Sequence, residues 1–595
     1  MKFSVLALDY DGTIARDGVL DPGIRQAIAE LRAQGIIVAL VTGRILDDLR
    51  RVAGELFFVD VVVAENGAVI EFPESGYSTV VGQPPPPRLL DELRREGVNF
   101  AAGRSVVEAG AGDAQLILAI LRRLELPLAL VFNRGRVMVL PQAVSKATGV
   151  REALMILRLS PHNAIAIGDA ENDHELLRAC EVGVAVAWGS EALKASADYV
   201  LPGEGPAAVA GYIRALTHRR LVQAPLKTRR CLLLGHTGDG RPLALAVRGR
   251  NVLVAGDPKS GKSWVTGLLC EQLILYHYCL CIVDPEGDYA SLEALPGVVV
   301  LGGVDPLPRP RDLLRALRHP DVSVVVDLSH ARHEEKVDYL RTVLPSLAAL
   351  RRRTGLPHRI IVDEAHYFLH DPDTRGLLDL ELNGYTLVSY RASRLHPDVL
   401  AASQAIIVTR ESDPAEVHAL FDLCRSCQSR MSEQEWAQLF GSLAIGEAIA
   451  LPVTEEAEGQ MRRIWLAPRL TPHVRHLAKY IDIPVPEGRA FVFWRDGAPA
   501  GPRVRTLRDF VAVVEQATAP ALSGHLRRGD FSRWIADVFG DYPLCKTVRR
   551  IEDEYRAGNV DGVTAGLSQA IRSRYDFLEP AVESGASLSV KFGSV

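Results

Sequence analysis

Long apolar runs, a large surplus of charge of one sign and a cysteine-rich segment are all missing from this chain of 595 residues. Because no uninterrupted apolar stretch approaches the roughly 20 residues needed to span a bilayer, we expect no transmembrane helix and no membrane partner. The formal net charge of -5 excludes a globally basic nucleic-acid binder, although a local basic face is compatible with it. Met1-Lys2-Phe3 leads directly into an apolar strand, so we expect no signal peptide and a cytoplasmic protein.

The eight cysteines are scattered and lie mostly in apolar segments, which is typical of buried, reduced thiols. Cys424 and Cys427 form a CxxC pair. A zinc ribbon needs a second such pair and none is near, so buried thiols are favoured over a metal or redox site. Apolar residues make up 48 % and charged residues 24 % of the sequence, as in a globular protein, and the length predicts several domains.

From residue 1 to about 215, apolar strands alternate with amphipathic helices, which predicts an α/β domain around a parallel sheet. The predicted strands are residues 5–8, 36–41, 59–64 and 163–167, and the predicted helices are residues 24–34 and 45–56. Residues 73–145 have a different character, with a proline run, a predicted helix at 114–124 and predicted strands at 128–133 and 136–140. This segment predicts a small α+β insertion in the first domain.

A basic linker at residues 216–227 precedes a second α/β domain at residues 228–470. The basic residues of the linker and of the positions just after it are Arg219, Arg220, Lys227, Arg229 and Arg230. A solvated connector is favoured over a phosphate-binding patch as the role of these residues. The predicted strands of the second domain are residues 252–255, 279–283, 322–327, 359–363, 386–389 and 405–409. Residues 480–595 predict a small, mainly helical domain, with a strand-like run at 490–494 and helices at 507–517, 531–539, 546–556 and 565–574.

The first motif that carries chemistry is Asp9-Tyr10-Asp11-Gly12-Thr13, directly after the first predicted strand. Ligand sites of α/β folds lie at the carboxyl ends of strands, and Gly12 permits a sharp turn, so both carboxylates can reach one centre. One carboxylate can attack a phosphoryl group, while the other protonates the leaving oxygen and later activates water. So much negative charge implies a hard divalent cation, and we expect Mg²⁺.

Further motifs that suit phosphoryl transfer follow in order. Thr42 and Gly43 end the second predicted strand, where the threonine hydroxyl can bind a phosphate oxygen. Lys146 opens a predicted helix and can neutralise the transferring phosphoryl group. Asp169 and Asp173 follow another strand and supply carboxylates for the metal.

Together these motifs resemble those of the haloacid dehalogenase superfamily of phosphatases, and in particular its Cof-type branch, whose cap lies between the second and third motifs. The resemblance covers about residues 1–215 and implies a Rossmann-like core with a small α+β cap that closes over the substrate. It implies that Asp9 is the nucleophile and Asp11 the acid/base, that Thr42, Gly43, Lys146 and Asn172 bind phosphate, and that Asp9, Asp11, Asp169 and Asp173 hold magnesium. Asn66 and Gly67 also fit the pattern. Arg104 and residues 133–135 are candidate leaving-group contacts, with surface positions as the favoured alternative.

A complete P-loop lies between a predicted strand and a predicted helix further along the chain. We expect all of its residues to bind ATP: Gly256, Asp257, Pro258, Lys259, Ser260, Gly261, Lys262 and Ser263. The backbone N–H groups cradle the phosphates, Lys262 reaches the β and γ oxygens, and the Ser263 hydroxyl binds a second Mg²⁺. Asp363 is expected to hold this magnesium through water, and Glu364 is the predicted catalytic residue that polarises the attacking water.

The segments 282–289, 363–366 and 389–395 make this domain resemble the HerA branch of the HerA/FtsK group of P-loop ATPases, over about residues 228–470. The resemblance implies a RecA-like α/β fold, ATP hydrolysis and commonly a hexameric ring that acts on DNA. Tyr390 stands where that family has a polar residue that senses the γ-phosphate, and the phosphatase-like domain stands where members carry a β-barrel. The arginine-finger candidates, each with a surface arginine as its alternative, are Arg391, Arg394 and Arg410.

The segment around His525, Asp530 and Trp534 resembles part of a small helical domain of unknown function that is appended to varied bacterial enzymes. A core anchor is favoured over a site for this histidine, and an interaction role is expected for the domain.

Two function hypotheses of different class follow from the two motifs. In the first, a Mg²⁺-dependent phosphatase acts on a small phosphorylated metabolite, such as a sugar phosphate or phosphoglycolate, and ATP binding regulates or assembles it. In the alternative, an ATP-driven DNA translocase or helicase-type machine uses the phosphatase domain to process nucleic-acid ends or nucleotides. A third hypothesis makes the ATPase a scaffold. A small cap closes over a compact substrate more readily than over a duplex end, which favours the metabolite.

Overall fold

The computed structural model of the protein describes residues 3–133, 135–219, 229–247, 250–370, 377–424, 431–452, 461–471, 485, 487–495, 498–539 and 541–574. The chain divides into two compact units. The first comprises Met1–Cys231, Arg318–Pro320 and Leu350–His358, and the second comprises Leu232–Leu317, Asp321–Ala349 and Arg359–Val595. Within the described ranges, every helix is too short or too polar to cross a membrane.

The first part of the chain alternates short strands and helices. Its strands are β1 (Val5–Asp9), β2 (Ala15–Arg16), β3 (Val19–Leu20), β4 (Ile37–Val41), β5 (Val61–Ala64), β6 (Val69–Phe72), β7 (Tyr77–Val80), β8 (Phe100–Ala102), β9 (Val107–Gly110), β10 (Leu128–Asn133), β11 (Arg136–Pro141), β12 (Ala164–Gly168), β13 (Val182–Val186) and β14 (Tyr199–Leu201). Its helices are α1 (Pro22–Arg32), α2 (Leu46–Ala53), α3 (Pro87–Arg95), α4 (Ala114–Arg123), α5 (Lys146–Ile156), α6 (His174–Ala179), α7 (Glu191–Ser196) and α8 (Gly205–Arg219).

The first unit is built on a sheet in the order β14-β13-β12-β1-β4-β5-β6-β7, in which β6 and β7 are antiparallel and the other strands pair in parallel. Every residue of β1, β12 and β13 is buried, which explains their nearly continuous apolar sequences. One face packs against α1, α2 and α8, and the other packs against α5 and α6. The carboxyl ends of the parallel strands therefore meet at one edge, where such folds bind ligands.

Local sequence signals fix where the helices of this unit begin. The carboxylate of Asp21 accepts the N–H of Gly23 at 2.7 Å, which caps α1. At α5, the Ser145 hydroxyl accepts the Thr148 N–H at 3.4 Å, and the Thr148 hydroxyl accepts the Ser145 N–H at 2.9 Å. This capping box makes Lys146 the first residue of α5.

The insertion forms a separate antiparallel sheet in the order β10-β11-β9-β8, with α3 and α4 packed on one face. We call this sheet and its two helices the cap. A further apolar cluster joins Val106, Met138 and Leu140 of the cap to Ile45 of the core. Strand β7 lies inside the segment 73–145 that the sequence assigns to the insertion, but it pairs with β6 in the core sheet. The reason is a tight turn, in which Gly76 (φ +67°) donates its N–H to Phe72.

Two arginines of the predicted linker region bind to the first unit instead of standing in solvent. The guanidinium of Arg229 pairs with the carboxylate of Asp198, and Arg230 Nη1 lies 3.0 Å from Glu181 Oε2. Both arginines also donate to the carbonyl of Cys180. Residues 220–227 of the linker, together with residue 228, lie outside the described part of the chain.

The remaining elements form the second α/β domain and the C-terminal region. The strands are β15 (Cys231–Thr237), β16 (Pro242–Ala246), β17 (Val252–Ala255), β18 (Leu280–Asp284), β19 (Val298–Gly302), β20 (Ser323–Asp327), β21 (Arg359–Val362), β22 (Tyr385–Ser389), β23 (Ala405–Val408), β24 (Glu447–Pro452), β25 (Arg462–Leu466), β26 (Phe491–Arg495) and β27 (Ala498–Val504). The helices are α9 (Lys262–Leu275), α10 (Pro310–Ala316), α11 (His333–Thr354), α12 (Pro397–Ala401), α13 (Pro414–Leu423), α14 (Glu433–Gly441), α15 (Leu507–Gln516), α16 (Ala519–Arg528), α17 (Asp530–Trp534), α18 (Tyr542–Arg556) and α19 (Val563–Arg572).

The second sheet runs in the order β16-β15-β25-β24-β23-β17-β22-β21-β18-β20-β19. The strands from β23 to β19 pair in parallel, while β24 and β25 are antiparallel. Strand β17 is fully buried between β23 and β22, and it leads into the glycine-rich loop before α9. This loop therefore lies at the carboxyl edge of the parallel strands.

The C-terminal region has a hydrophobic core of its own, built from β26, β27 and the helices α15 to α19. His525 is buried in it, and its Nε2 accepts the Trp494 N–H at 2.9 Å. Its Nδ1 lies 2.8 Å from Asp530 Oδ2. Because both ring nitrogens are engaged in this way, the geometry agrees with the anchor interpretation of His525. Cys427 of the CxxC pair lies outside the described residues.

Replacing Gly149 by alanine should destabilise the first unit. A Cβ at this position would lie 2.6 Å from Gly67 Cα and 2.7 Å from Val63 Cγ1, so α5 would have to move away from the sheet. We expect a loss of about 1–3 kcal/mol, as for other overpacked sites, measured as a lower transition temperature in calorimetry of the full chain. Gly211→Ala is the matched control, because Gly211 also lies in a helix but has no neighbour within 4 Å of such a Cβ. Equal transition temperatures for the two variants would contradict the prediction.

Candidate active sites

Asp9 is the last residue of β1 and is buried, with 4 % of its surface exposed. The chain then turns at Gly12, whose φ of +79° suits glycine, and the Gly12 N–H donates to the Ala15 carbonyl at 3.0 Å. Asp11 lies on this turn with its side chain partly exposed. The two carboxylates of the motif therefore stand in different surroundings.

Lys146 brings its ammonium group between two buried carboxylates. Its Nζ lies 2.6 Å from Asp9 Oδ1 and 2.6 Å from Asp173 Oδ1. The helix that carries it approaches the turn after β5 closely, since a Cβ on Gly67 would lie 1.9 Å from the Ser145 carbonyl oxygen. Lys146 is 1 % exposed, and these two contacts balance its charge.

Asp169 and Asp173 follow β12, as their motif predicts. The Asp173 Oδ2 accepts the N–H groups of Asp169 at 3.0 Å and Ala170 at 3.1 Å, which fixes the turn. Oxygen atoms of Asp9, Asp169 and Asp173 lie within 4.8 Å of one another, and all three residues are buried. Three hard oxygen donors at this spacing fit Mg²⁺. Asp11, which the sequence adds to the metal ligands, does not belong to this group of described residues.

The electrostatics of this group are those of a crowded acidic site. Burial, and then the charge of Asp173, raises the pKa of Asp9 well above its ordinary value, although Lys146 opposes the shift. Burial alone would lower the pKa of Lys146, but the carboxylates of Asp173 and Asp9 raise it above its ordinary value. The two carboxylates thus favour the charged form of Lys146, and the carboxylates repel one another unless further positive charge is supplied.

The predicted phosphate-binding residues lie beside this group. Thr42 is buried, and its Oγ1 accepts the Arg44 N–H at 3.1 Å. The Asn172 amide donates to Asn66 Oδ1 at 3.3 Å, so the turns after β5 and β12 touch each other. An ideal Cβ on Gly43 would lie 3.4 Å from Asn172 Nδ2. The structure thus brings Thr42, Gly43 and Asn172 to the same strand edge as Asp9.

Arg44 is a residue that sequence reasoning left without a role. Its Nε lies 2.7 Å from Asp11 Oδ2 and its Nη2 lies 2.7 Å from Asp11 Oδ1, a two-pronged ion pair. Its Nη1 lies 2.7 Å from Asp48 Oδ2. Arg44 thus holds the carboxylate of Asp11 at the rim of the site. The position of Arg44 directly after Thr42 and Gly43 was the signal that could have identified it.

Of the candidate leaving-group contacts, Arg104 donates from Nη1 to Ser78 Oγ at 2.9 Å, and its backbone N–H donates to Glu65 Oε1 at 3.0 Å. Asn133 ends β10 and Gly135 opens the following turn. Arg134 lies outside the described residues.

In the P-loop of the second unit, the lysine side chain folds back onto carbonyl groups of the loop. Lys262 is the first residue of α9, and its Nζ donates to the carbonyls of Gly256 at 2.9 Å and Asp257 at 2.8 Å. Gly256 and Gly261 have φ angles of +144° and +113°, which glycine tolerates. The Ser263 hydroxyl donates to Asp288 Oδ2 at 2.7 Å. Asp288, which lies in the segment 282–289, is therefore a partner of the predicted magnesium-binding hydroxyl.

Asp363 and Glu364 follow β21 and are buried. Glu364 takes the left-handed conformation (φ +47°), and its N–H donates to Asp363 Oδ1 at 2.9 Å. His366 Nδ1 lies 3.1 Å from the Ser389 hydroxyl and 3.7 Å from Glu364 Oε2. Burial, aided by Arg391 and Lys262, lowers the pKa of His366 well below its ordinary value, so the ring is neutral.

Tyr390 lies against the same residues. Its ring centroid is 4.5 Å from that of His366, and Lys262 Nζ lies 5.8 Å from it. Arg391 stacks over the ring at 5.3 Å. An aromatic side chain thus lies near the P-loop lysine, at the position where the predicted resemblance to HerA-like ATPases implies a polar sensor; that role stays a prediction.

Asp257 ties the P-loop to the segment after β23. Its carboxylate accepts the Ser412 N–H at 3.1 Å and the Ser412 hydroxyl at 2.8 Å, and Arg410 Nε lies 3.3 Å away. Burial, and then Asp257, raises the pKa of Glu411 to about 9. Arg410 therefore faces the P-loop of its own chain. An arginine finger across a subunit interface stays a prediction for Arg391, Arg394 and Arg410.

Comparison with known proteins concerns the first unit. A family model described as haloacid dehalogenase-like hydrolase matches residues 6–92 and 124–213. A phosphoglycolate phosphatase from Archaeoglobus fulgidus is 31 % identical over 217 residues, which cover 34 % of this chain and 94 % of that protein. One from Methanosarcina acetivorans is 29 % identical over 222 residues, covering 34 % of this chain and 90 % of that protein. A haloacid dehalogenase-like hydrolase from Bacteroides thetaiotaomicron, of known structure, is 20 % identical and covers 36 % of this chain and 100 % of that one, with a TM-score of 0.33.

The family match is interrupted at residues 93–123, a stretch that holds β8, β9 and α4 of the cap. Its two parts include Asp9, Thr42, Lys146 and Asp169, which the fold brings to one strand edge. Through the domain that contains these residues, the chain belongs to the haloacid dehalogenase-like hydrolase family.

Proposed function

We propose that the first unit is a Mg²⁺-dependent phosphatase that hydrolyses a small phosphorylated metabolite. The observation that carries the proposal is the buried group in which Lys146 lies 2.6 Å from both Asp9 and Asp173, with Asp169 beside them. A nucleophilic carboxylate, a fixed cation and a set of metal ligands are what hydrolysis through an aspartyl-phosphate requires. The relatives named above are phosphoglycolate phosphatases, which favours a compact phosphomonoester as substrate.

The proposed reaction divides the work between the two carboxylates of the motif. Asp9 attacks the phosphorus atom, the bond to the leaving oxygen breaks, and Asp11 gives its proton to that oxygen. Asp11 then takes a proton from water, whose oxygen attacks the aspartyl-phosphate and releases inorganic phosphate and free Asp9. Thr42, Asn172 and Lys146 hold the phosphoryl oxygens. Mg²⁺, held by Asp9, Asp169 and Asp173, would neutralise charge on the phosphoryl group.

The position of Arg44 adds a requirement to this scheme. Because both nitrogens of the guanidinium fork bind Asp11, the carboxylate has to leave Arg44, at least in part, to reach a leaving oxygen. Nε and Nη2 of Arg44 then become available to the substrate, whose negative charge replaces that of Asp11, while Nη1 stays paired with Asp48.

We also propose that the second unit binds and hydrolyses ATP. The P-loop geometry supports this, since Lys262 and Ser263 open α9 after β17, and Asp363 and Glu364 follow β21, which is separated from β17 by one strand of the same parallel sheet. The close packing of Tyr390 against His366 and Lys262 favours a slow hydrolysis that regulates or assembles the protein over a fast motor.

Screening the full chain with Mg²⁺ against small phosphomonoesters and phosphate-ended oligonucleotides, each with and without ATP, tests the proposed function. Turnover of one small ester is the expected result. Turnover confined to oligonucleotide ends and stimulated by ATP would instead establish the nucleic-acid machine.

Asp9→Asn should abolish phosphatase turnover, with a loss of roughly 10³-fold or more, and should leave ATP hydrolysis intact. The amide has the size of the carboxylate but is a far weaker nucleophile. Phosphate release from the ester and from ATP is measured separately. Loss of both activities would mean that the two sites act as one coupled unit.

Lys262→Ala should abolish ATP binding, because it removes the cation that the P-loop aims at the β and γ oxygens. Binding is measured with a fluorescent ATP analogue. Asp9→Asn is the control in this measurement and should bind the analogue like the wild type. In the phosphatase assay the roles are exchanged, and Lys262→Ala is the control for Asp9→Asn. Tight ATP binding by Lys262→Ala would refute the P-loop assignment.

Asp169→Asn should weaken Mg²⁺ binding by about tenfold or more, since it removes one charged ligand from the acidic group. Isothermal titration with Mg²⁺ measures the affinity directly, together with the Mg²⁺ concentration that gives half-maximal turnover. Glu175→Gln, an exposed acid on α6, is the control and should match the wild type. An unchanged affinity in Asp169→Asn would exclude this residue as a ligand.

A further inference from the structure

We infer that Met138, on cap strand β11, sets an upper limit on the size of the leaving group, so that the site takes compact phosphomonoesters with leaving groups of two or three carbons and discriminates against hexose phosphates. This inference rests on the proposed phosphatase function and names the class of substrate for the same site.

Met138 lies directly over the predicted phosphate-binding turn. Its Sδ and Cε atoms are 3.4 Å and 3.5 Å from the point that a Cβ on Gly43 would occupy, and Asn172 Nδ2 is 3.4 Å from the same point. The side chain is 2 % exposed. A leaving group that extends from a phosphate held at Thr42 and Gly43 towards the cap therefore meets the thioether of Met138 first.

The neighbours of Met138 make this part of the cap a wall. Val131 on β10 and Glu108 on β9 are its direct cross-strand partners, so all three side chains share one face of the cap sheet. Met138, Val106 and Leu140 also pack with Ile45, the residue that follows Arg44. Met138 is thus supported from both sides and from the core, which limits the room into which it can retreat.

Glu65 fixes the distance between this wall and the core. Its carboxylate accepts the backbone N–H groups of Arg104 at 3.0 Å and Ser105 at 2.9 Å, although Glu65 itself follows core strand β5. Gly103 comes so close that a Cβ there would lie 2.6 Å from the carboxylate. The loop it holds leads into β9, which pairs with β11 opposite Met138. A large leaving group has to displace Met138 or break these two charge-assisted bonds.

The test compares wild type, Met138→Ala and Met138→Phe in kcat/KM for 2-phosphoglycolate, glycerol 3-phosphate and glucose 6-phosphate. Met138→Ala should raise the ratio of kcat/KM for glucose 6-phosphate to that for 2-phosphoglycolate by about tenfold or more, as pocket contacts of this size do. Met138→Phe should lower the same ratio, and it keeps the test available if the alanine variant does not fold.

Val139→Ala is the matched control, because Val139 is buried on the same strand but packs in the cluster with α3 and α4, on the other face of the cap sheet from Met138. It should leave the ratio unchanged. A ratio that is unchanged in both Met138 variants, or that Val139→Ala raises equally, would overturn the inference while the phosphatase function stands. Absence of turnover of every ester by the wild type would instead refute the proposed function itself.

Discussion

One buried ammonium group holds the first site together. The Nζ of Lys146 touches the carboxylates of Asp9 and Asp173 in a place that solvent hardly reaches. Carboxylates so close and so dry destabilise the fold unless a cation balances them, and one lysine cannot balance the three of Asp9, Asp169 and Asp173. The fold can bring the lysine there only because Gly67 and Gly149 let α5 approach the turn after β5. Backbone packing, charge balance and the need for a divalent cation are thus parts of a single constraint.

A buried lysine also opens a helix in the second unit. Lys262, like Lys146, is the first residue of a helix, where the helix dipole disfavours a cation. Lys146 contacts the carboxylates of Asp9 and Asp173, and Lys262 donates to the carbonyls of Gly256 and Asp257. In both places an incoming phosphate can supply the ammonium group with further negative charge. At both predicted phosphate sites, a lysine is the first residue of a helix, where the helix dipole destabilises its charge.

The sequence was most informative where chemistry and periodicity coincide. The predicted strands at 5–8, 163–167 and 252–255 appear within one or two residues as β1, β12 and β17, because buried parallel strands are apolar throughout. The cap strands at 128–133 and 136–140 also appear as predicted. The edge strand β7 and helix α16 were missed, since a half-exposed hairpin and a short helix that contains proline, serine and glycine carry weak periodic signals.

Contacts between distant segments were harder to foresee than the motifs. No spacing rule links Arg44 to Asp11, Glu65 to the N–H groups of residues 104 and 105, or Ser263 to Asp288, because each pair meets only after the sheet has formed. The roles assigned to the motif residues from sequence stay predictions, although the fold brings those of each site to one strand edge.

Two buried glutamates, Glu65 and Glu364, have a strained backbone conformation that the sequence alone does not predict. Glu65 follows β5 and Glu364 lies just beyond β21; both are fully buried, and both have positive φ angles, +53° and +47°. Such a conformation costs a non-glycine residue about 1 kcal/mol or more, so it persists only where the surroundings enforce it. For Glu364, the strained residue is the one predicted to polarise the attacking water. Glu65 has a similar backbone conformation in the other unit, and its carboxylate accepts hydrogen bonds from the cap. Strain of this kind also occurs at residues away from both sites, such as Glu125 and His277. What connects Glu65 with its site is therefore the pair of hydrogen bonds that its carboxylate accepts from Arg104 and Ser105 of the cap.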